Sequence, residues 1–296
     1  MPCRCTIPEF ASYTVDRYKF ERRLSSSPHA AVYLAHESEP DTTTTTPRAI
    51  KIMRVHPRTG NSTPGQEHER KTLAYLAAHA VPNVTRLVRA IRCDIYILFV
   101  FEYMSGGSLK DALDARAPLL GDIETVKRLF LQILDGVTAC HLMGIYHRNL
   151  SLDNIIVDST LSRACIGGFR YSTKDTVTSQ FGVGAKRFMC PECIENNDVD
   201  QPDYNTRRND VWALGVILVN LAFDIDPFEE ASARDPCYRA FRASPIYFRT
   251  ELPISLGLQA ILNRVFTVDP DAAMSLTHLR AQICDLKSFW MAPFDL

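Results

Sequence analysis

The stretch that says most about this chain is Gly144-Ile-Tyr-His147-Arg-Asn149-Leu-Ser-Leu-Asp-Asn154-Ile-Ile-Val157. It places a group of polar side chains between apolar residues, directly after a segment with helical spacing. At its centre stands Asn149, and an amide has no basic lone pair that could take a proton near neutral pH. The stretch therefore predicts a loop with polar side chains, in which Asn149 cannot act as a general base.

The length and charge of the chain limit the classes of function. With 296 residues it is long enough for one large domain or two lobes with a sizeable core. The formal net charge of -1 gives no electrostatic case for nucleic acid or an anionic membrane as a partner. The longest apolar run, residues 211–223 with one asparagine, is shorter than the ~20 residues that span a bilayer and predicts a buried helix. Five arginines are expected on the surface or in local ion pairs: Arg86, Arg89, Arg92, Arg207 and Arg208.

The nine cysteines are odd in number and scattered. The first twenty residues carry prolines and acidic side chains and no apolar run of the kind found in secretory signals. Free thiols in a cytoplasmic or nuclear compartment are expected, and secretion is not. Cys190 and Cys193 form a C-x-x-C pair, but a zinc site requires two such pairs at suitable spacing, so the pair does not predict a metal.

The first half of the chain has the pattern of strands with one helix. Strands are predicted at residues 18–24, 31–36, 48–54 and 95–101, and a helix at 66–78. The threonine run 42–46 predicts a tolerated polar hairpin insertion, and phosphorylation of it stays open. Ser105-Gly-Gly107 predicts a break in the chain that acts as a hinge.

The second half is predicted to be helical. Asp122 has the position of an N-cap for a helix that runs to about Leu142, with apolar residues at helical spacing along one face. Further helices are predicted at 210–223, 256–266 and 274–286. No internal repeat is visible.

In order and spacing these segments resemble the eukaryotic protein kinase domain of the serine/threonine type, over residues 18–287. The resemblance implies an α+β, bilobal fold: a small antiparallel-sheet N-lobe with one helix (about 18–103), a hinge (about 102–107) and a mainly helical C-lobe (about 108–287). Residues 1–17 would be an N-terminal extension and residues 288–296 a tail. The loop at 147–154 matches the family's H-R-D-L-x-x-x-N, in which the aspartate accepts the substrate proton.

The resemblance also implies a nucleotide site, which leaves ATP binding open. Arg48-Ala-Ile-Lys51 matches V-A-I-K, where the lysine holds phosphates and pairs with a helix glutamate, here Glu69 or else Glu67. The backbone of Glu102 and Met104 would face an adenine. Four residues would be the apolar walls: Leu24, Val32, Ala49 and Ile156.

The residues that carry chemistry in the family are changed here. Asn149 replaces the catalytic aspartate and Ser151 a lysine of the same loop, while Asn154 remains as a weak candidate metal ligand. In Ile166-Gly-Gly168-Phe-Arg170, which stands at the D-F-G position, Gly168 replaces the metal-binding aspartate. Ser25, Ser27 and Ala30 replace the phosphate-loop glycines, although an ordinary hairpin explains that stretch equally well. One neutral amide is a poor magnesium ligand, so weak magnesium binding or none is expected.

Residues that hold the family's shape are mostly retained. Asp210 begins a D-x-W-x-x-G match and is expected to tie down the loop at 147–154. Cys190-Pro-Glu192 matches the A-P-E end of the activation segment. Its glutamate normally pairs with an arginine of D-P-x-x-R, which here is Ala273. Glu192 is therefore expected to be exposed or paired elsewhere, because an unpaired buried carboxylate is costly.

These changes favour a pseudokinase, a kinase-like protein without phosphotransferase activity that binds a protein partner or an active kinase. The alternative is an atypical serine/threonine kinase in which Asp153 or Asp175 supplies a displaced carboxylate. A third hypothesis keeps ATP as a structural ligand without catalysis. Arg170 is a further hypothesis, as a cation that takes the place of the missing metal.

Overall fold

The N-terminal half is built on one antiparallel sheet. The computed structural model describes residues 7–38, 44–56, 59–93, 95–115, 122–194, 201–269 and 272–291. The sheet has the order β1-β2-β3-β4-β6-β5. Its strands are β1 Thr14–Val15, β2 Tyr18–Ser26, β3 Ala30–Ser38, β4 Thr45–Arg54, β5 Leu87–Cys93 and β6 Tyr96–Glu102. The predicted strands are thus present, each with slightly different ends.

The threonine run is partly a strand. Thr42 and Thr43 lie outside the described residues, but Thr45 and Thr46 begin β4 and pair with Ser38 and Glu37 of β3. The prediction of a polar loop over 42–46 is wrong for this part. β-branched residues suit a pleated, half-buried surface, and this property lengthens the hairpin at the expense of the loop.

One helix, α1 Pro64–Ala78, packs beside this sheet. It begins two residues before the predicted start because Thr63 and Gln66 form a reciprocal cap. The Thr63 hydroxyl accepts from the Gln66 amide (3.3 Å), and the Gln66 side chain accepts from the Thr63 amide (2.8 Å). Pro64 fits the first turn, where its missing N–H is not needed.

The residues before β2 belong to the sheet's core. Phe10 packs against Tyr33 and Tyr96, with ring centroids 6.1 and 5.4 Å away. Ile7 is buried in the same cluster. Ile7 and Phe10, in the segment expected to be an N-terminal extension, therefore pack on the sheet, and Thr14–Val15 of the same segment form its edge strand β1.

A short segment joins the two lobes. β6 ends at Glu102 and β7 Gly107–Ser108 pairs with β8 Ile155–Val157 of the second lobe. The Gly106 amide donates to the Val157 carbonyl (3.0 Å), and a Cβ at Gly106 would lie 2.4 Å from the Asp158 carbonyl oxygen. Only glycine permits this approach, so the predicted break is the point where the lobes meet.

The second lobe is helical around one apolar core. Its helices are α2 Leu109–Asp114, α3 Ile123–Leu142, α4 Thr206–Phe223, α5 Pro236–Ala243, α6 Tyr247–Glu251, α7 Leu256–Val265 and α8 Leu276–Asp285. Its remaining strands are β9 Ala164–Ile166, which pairs with β8, and the pair β10 Val177–Thr178 and β11 Tyr204–Asn205. Asp122 caps α3 as predicted, its carboxylate accepting from the Thr125 amide (3.0 Å). α4 is almost wholly buried and begins four residues before the predicted start, because Asn205 caps it.

The end of the chain is part of this lobe as far as it is described. Phe289 is fully buried, and the Trp290 indole donates to the Ala222 carbonyl at the end of α4 (3.0 Å). Residues 288–291 therefore extend the second lobe past the expected boundary at 287. No helix among the described residues has the length and apolar character needed to cross a membrane.

Candidate functional site

A lysine and a glutamate form an ion pair between β4 and α1. Lys51 Nζ lies 2.7 Å from Glu69 Oε1, and the Glu69 side chain is almost fully buried. The competing Glu67 instead pairs with Arg70 on the helix surface (2.7 Å). The pair therefore holds α1 against the sheet through Glu69.

The residues predicted to form the apolar walls line the junction of the lobes. Val32 is the direct cross-strand partner of Lys51, and Ala49 lies between Leu34 and Phe101. The side chains of Leu24, Val32, Ala49 and Ile156 are each half-buried, and that of Met104 is buried. Glu102 pairs with Arg86 on the outside of the segment that joins the lobes (3.3 Å).

The β2–β3 hairpin closes on itself at the position of the expected phosphate loop. The Ser27 hydroxyl oxygen accepts from the amides of His29 (3.4 Å) and Ala30 (3.1 Å). The Ser27 amide donates to the Ala30 carbonyl (2.7 Å), and Pro28 has no N–H. The amides that would face phosphates are thus bonded within the turn, as an ordinary hairpin requires.

Asp210 holds the loop at 147–154 in place. Its carboxylate accepts from the amides of His147 (2.8 Å) and Arg148 (2.7 Å), and from His141 Nε2 (2.8 Å). Asp210 is fully buried at the start of α4. Three hydrogen-bond donors offset the cost of burying this carboxylate. Asp210 therefore holds the loop in the way that the sequence predicted.

His147 connects the loop to the segment after β9. Its Nε2 donates to the Gly167 carbonyl (2.8 Å), and its ring packs against Phe169 at 4.7 Å between centroids. Burial lowers the pKa of His147 below its ordinary value, so the ring is neutral near pH 7. The neutral ring is a rigid support rather than a proton carrier.

Asn149 ties the loop to the activation segment. Its side-chain oxygen accepts a hydrogen bond from the Ala185 amide (3.0 Å), and its carbonyl accepts from the Asn154 side chain (2.8 Å). The same Asn154 amide group reaches the Ser151 hydroxyl (3.3 Å). Asn149, Ser151 and Asn154, which the sequence indicated as altered or remaining catalytic positions, are thus joined in one network of neutral groups.

Asn154 occupies the space that a side chain at position 168 would need. A Cβ built on Gly168 would lie 2.2 Å from Asn154 Oδ1 and 2.6 Å from its Cγ. Gly168 has φ +76°, in the left-handed region that aspartate tolerates better than most residues. The close contact with Asn154, more than the backbone angle, is therefore what excludes a carboxylate side chain at position 168 from this arrangement.

This arrangement does not fit Mg²⁺. The ion prefers carboxylate and phosphate oxygens in octahedral geometry, whereas Asn154 offers one neutral oxygen, turned toward Gly168. No group of three or more His, Cys, Asp or Glu side chains in the described part of the chain is placed to hold a metal. Cys190 and Cys193 are buried free thiols, and burial raises the pKa of both.

Arg170 packs against the start of α1. Its Nε would lie 3.4 Å from a Cβ on Gly65, in the first turn of α1, and its guanidinium lies 5.9 Å from the centre of the Tyr171 ring. These contacts do not support the hypothesis of a cation in the phosphate site, which stays a hypothesis.

The two alternative carboxylates lie apart from the Asn149 network. Asp153 is exposed, near Lys110. Asp175 is also exposed and accepts from the Thr173 hydroxyl (3.1 Å), while its carbonyl accepts from Thr206 at the start of α4. Neither carboxylate is hydrogen-bonded to Asn149, Ser151 or Asn154 among the described residues.

Two partners in this region had no signal in the sequence. Arg148 is buried, has φ +64°, and donates to the side chain and carbonyl of Gln180 (2.9 and 3.2 Å). The uncharged Gln180 thus connects the activation segment to the 147–154 loop. Arg208 is buried and pairs with Glu192 (2.7 Å), and it also donates to the carbonyls of Thr267 and Asp269. Glu192 thus finds its partner elsewhere, and Arg208 is not a surface residue.

Comparison with known proteins identifies relatives of this chain. The family model described as "Protein kinase domain" matches residues 18–282. The Schizosaccharomyces pombe protein called negative regulator of sexual conjugation and meiosis is 30% identical over 241 residues, or 75% of this chain and 51% of that protein. Serine/threonine-protein kinase ksp1 of the same organism is 30% identical over 267 residues, or 86% and 54%. CBL-interacting serine/threonine-protein kinase 17 of Arabidopsis thaliana is 28% identical over 274 residues, or 90% and 59%. The chain therefore spans little more than half the length of these relatives.

Proposed function

This chain belongs to the protein kinase family, and on that premise we propose that it is a pseudokinase, which binds a protein partner and does not transfer phosphate. The observation that carries the proposal is the position of Asn154. Its side-chain oxygen fills the space beside Gly168 where the family's metal-binding carboxylate would begin. A site arranged in this way has neither the base nor the metal-binding carboxylate of the family's phosphotransferases.

The size of these losses supports the proposal. Phosphoryl transfer depends on positioning and on charge stabilisation by the metal. Loss of a general base alone typically slows a reaction by about 10²–10⁴. The amide of Asn149 cannot replace that base, since its oxygen already accepts from Ala185. The loss of the base and the loss of the metal-binding carboxylate affect the same reaction, so their effects on its rate are not additive. Each of them nevertheless lowers the rate.

The proposal is tested by phosphate transfer from labelled ATP to the chain itself and to a generic protein substrate. Wild type is compared with Lys51→Ala, which removes the cation of the nucleotide site, and with Arg22→Ala, a matched change on the exposed face of β2. We expect transfer by wild type to equal the background of Lys51→Ala. Transfer that Lys51→Ala abolishes and Arg22→Ala preserves would overturn the proposal.

A second candidate is an atypical serine/threonine kinase. It is favoured by the Lys51–Glu69 ion pair at 2.7 Å and by relatives that are named serine/threonine kinases. A displaced base would have to come from Asp153 or Asp175. If Lys51-dependent transfer is found, its loss in Asp153→Asn or Asp175→Asn identifies the carboxylate, and its persistence in both excludes them.

ATP as a structural ligand is compatible with the main proposal. Lys51 and the half-buried walls Leu24, Val32, Ala49 and Ile156 support nucleotide binding. Asn149 and Gly168 carry no negative charge, so no carboxylate at these positions would repel the phosphates in the absence of a metal. The partner we propose is a protein, either an active kinase or another signalling protein, in the cytoplasm or nucleus. One relative is named for its interaction with CBL proteins, which gives a precedent for partner binding within the family.

A further inference from the structure

The helix α1 of the N-terminal lobe is attached to the second lobe along its length. The attachment comes from residues 169–174, which begin with a short helical turn directly after Gly168. Contacts join this segment to α1 at the start of the helix, in its first half and near its end. The two lobes are therefore connected at a second place, in addition to the hinge at Gly106.

A hydrogen bond joins the first half of α1 to this segment. His68 Nε2 lies 3.0 Å from the Ser172 hydroxyl oxygen, and the same hydroxyl donates to the Phe169 carbonyl at 2.8 Å. A hydroxyl has one hydrogen, so Ser172 accepts from the Nε2–H of His68. Ser172 is buried, whereas His68 lies at the surface. Replacement of His68 therefore removes the bond without leaving a buried donor unpaired.

The end and the start of α1 each add a contact. Lys174 Nζ lies 5.3 Å from the centre of the Tyr75 ring, and the His79 ring packs on the same tyrosine at 4.3 Å. At an exposed site, a cation over an aromatic ring shifts an equilibrium by a factor of about two to five. Arg170 packs on Gly65 in the first turn, where a Cβ would lie 3.4 Å from its Nε. The contacts thus extend over the whole helix.

The loop after α1 is bonded to the second lobe as well. The Ile166 amide of β9 donates to the Asn83 carbonyl (2.8 Å), and the Thr85 amide donates to the Ile166 carbonyl (2.9 Å). A Cβ on Gly136 of α3 would lie 2.8 Å from the Asn83 carbonyl oxygen, so the loop packs closely on α3. The second lobe therefore holds both α1 and the chain that leaves it.

We propose that α1 and residues 169–174 form an interlobe latch, which keeps the Lys51–Glu69 ion pair in place without a nucleotide. On its other side, α1 contacts the sheet through this pair and through Gln66, whose side chain donates to the Arg54 carbonyl (2.8 Å). The chain's own side chains and backbone make all of these contacts, so none of them requires a ligand. The latch does not depend on catalysis. Its use, to present one arrangement of the lobes to a protein partner, rests on the proposed function.

The test is amide hydrogen exchange of the full chain, read by mass spectrometry over residues 64–78, because exchange reports local opening. We expect exchange to be about fivefold faster in His68→Ala and in Lys174→Ala, the factor that one such contact is worth. The two contacts lie about two helical turns apart, so the effects should combine to about twentyfold in the double variant. Lys71→Ala, at an exposed lysine of the same helix, is the control and should exchange as wild type. Equal exchange in wild type and the double variant would overturn the latch.

A second pair of variants shows whether His68 acts through Ser172. In a Ser172→Ala background, His68→Ala should have no further effect on the exchange of α1, since its acceptor is gone. A full effect of His68→Ala in that background would contradict the assignment. Exchange over α3 should be the same in all variants, because the latch concerns α1. Equal acceleration in α3 would assign the effect to the stability of the whole fold and overturn the latch.

ATP separates the latch from the proposed function. In wild type, residues 64–78 should be protected to the same degree with and without millimolar ATP. Protection that appears only with ATP would overturn the latch and leave the proposed function standing. Phosphate transfer in the labelled-ATP assay, together with protection that is independent of ATP, would overturn the proposed function and leave the latch standing.

Discussion

The hydrogen bonds around Asp210 and those around Asn154 lie on either side of the same loop and differ in charge. Asp210 is a buried carboxylate with three donors, two of them amides of His147 and Arg148. The network of Asn149, Ser151 and Asn154 holds no charge at all. The shape of the loop therefore depends on residues that take no part in chemistry, and the chemical residues can change while the shape persists.

The N-lobe repeats this contrast on a smaller scale. The Lys51–Glu69 ion pair fixes α1 to the sheet, whereas the hairpin at Ser27 uses its own amides in a closed turn. Contacts that position elements are retained, and groups that would meet phosphates or metal are neutral or already bonded. The following predictions test whether this division is real.

The largest effect is expected at Asp210. Asp210→Ala removes a buried carboxylate that accepts three hydrogen bonds, and loss of one partner in a buried network costs about 3–5 kcal/mol. We expect the free energy of unfolding in urea to fall by that amount. Asp153→Ala, at an exposed aspartate of the same loop, should stay within about 0.5 kcal/mol of wild type. Similar values for the two variants would show that Asp210 does not carry the loop.

A smaller loss is expected at Arg208. Arg208→Ala leaves Glu192 and two carbonyls without their donor, but Glu192 is partly exposed to water, so we expect a loss of about 2 kcal/mol. Adding Ala273→Arg to this variant restores an arginine at the family position and should recover part of the loss. If the double variant is less stable than Arg208→Ala alone, the two arginines are not alternatives for Glu192.

Gly168→Ala tests the other side of the comparison. The new methyl group meets Asn154 Oδ1 and requires φ +76° of an alanine, which together cost about 1–2 kcal/mol. Asn154→Ala in the same chain removes the close contact, so the cost of Gly168→Ala should be smaller in that background. Equal costs in both backgrounds, measured as a double-mutant cycle of urea unfolding, would mean that Asn154 does not occupy this space.

The buried ring of His147 predicts a pH dependence. Burial lowers its pKa in the folded chain, while the unfolded chain titrates near 6.5, so the unfolded state binds more protons below that pH. Stability should therefore fall as the pH drops through 6.5. Between pH 7.5 and 5.5, wild type should lose more stability than His147→Phe, which lacks the group, by up to about 1.4 kcal/mol. A parallel loss in both proteins would assign the effect to other groups.

Much of this organisation could be predicted from local sequence. The Asp122 cap and the glycine break at the hinge follow from short patterns, and the structure has them. The partnership of Lys51 with a helix glutamate was implied by the family resemblance, and the structure has it as well. The early start of α4 could also have been predicted from the sequence, because Asn205 is a common N-cap residue.

Other features depend on contacts between distant residues. Nothing near Arg208 indicates that it replaces an arginine missing at position 273, and nothing near Gln180 indicates that it fixes Arg148. The sequence shows that Gly168 lacks a carboxylate, but it cannot show that Asn154 lies in the space that this carboxylate would occupy. Such contacts depend on the packing of distant residues, which the identity of a single residue does not reveal.

The most direct test of the central claim, that no metal site remains, is the magnesium dependence of ATP binding. The melting temperature of the chain is measured with millimolar ATP in the presence of Mg²⁺ and in chelator, with Lys51→Ala as the control for binding at the nucleotide site. Ligand at 100 times its Kd would stabilise the fold by about 2.7 kcal/mol, which is readily seen. The account predicts that Mg²⁺ adds nothing to whatever shift ATP produces in chelator. A shift that requires Mg²⁺ and is lost in Lys51→Ala would contradict it.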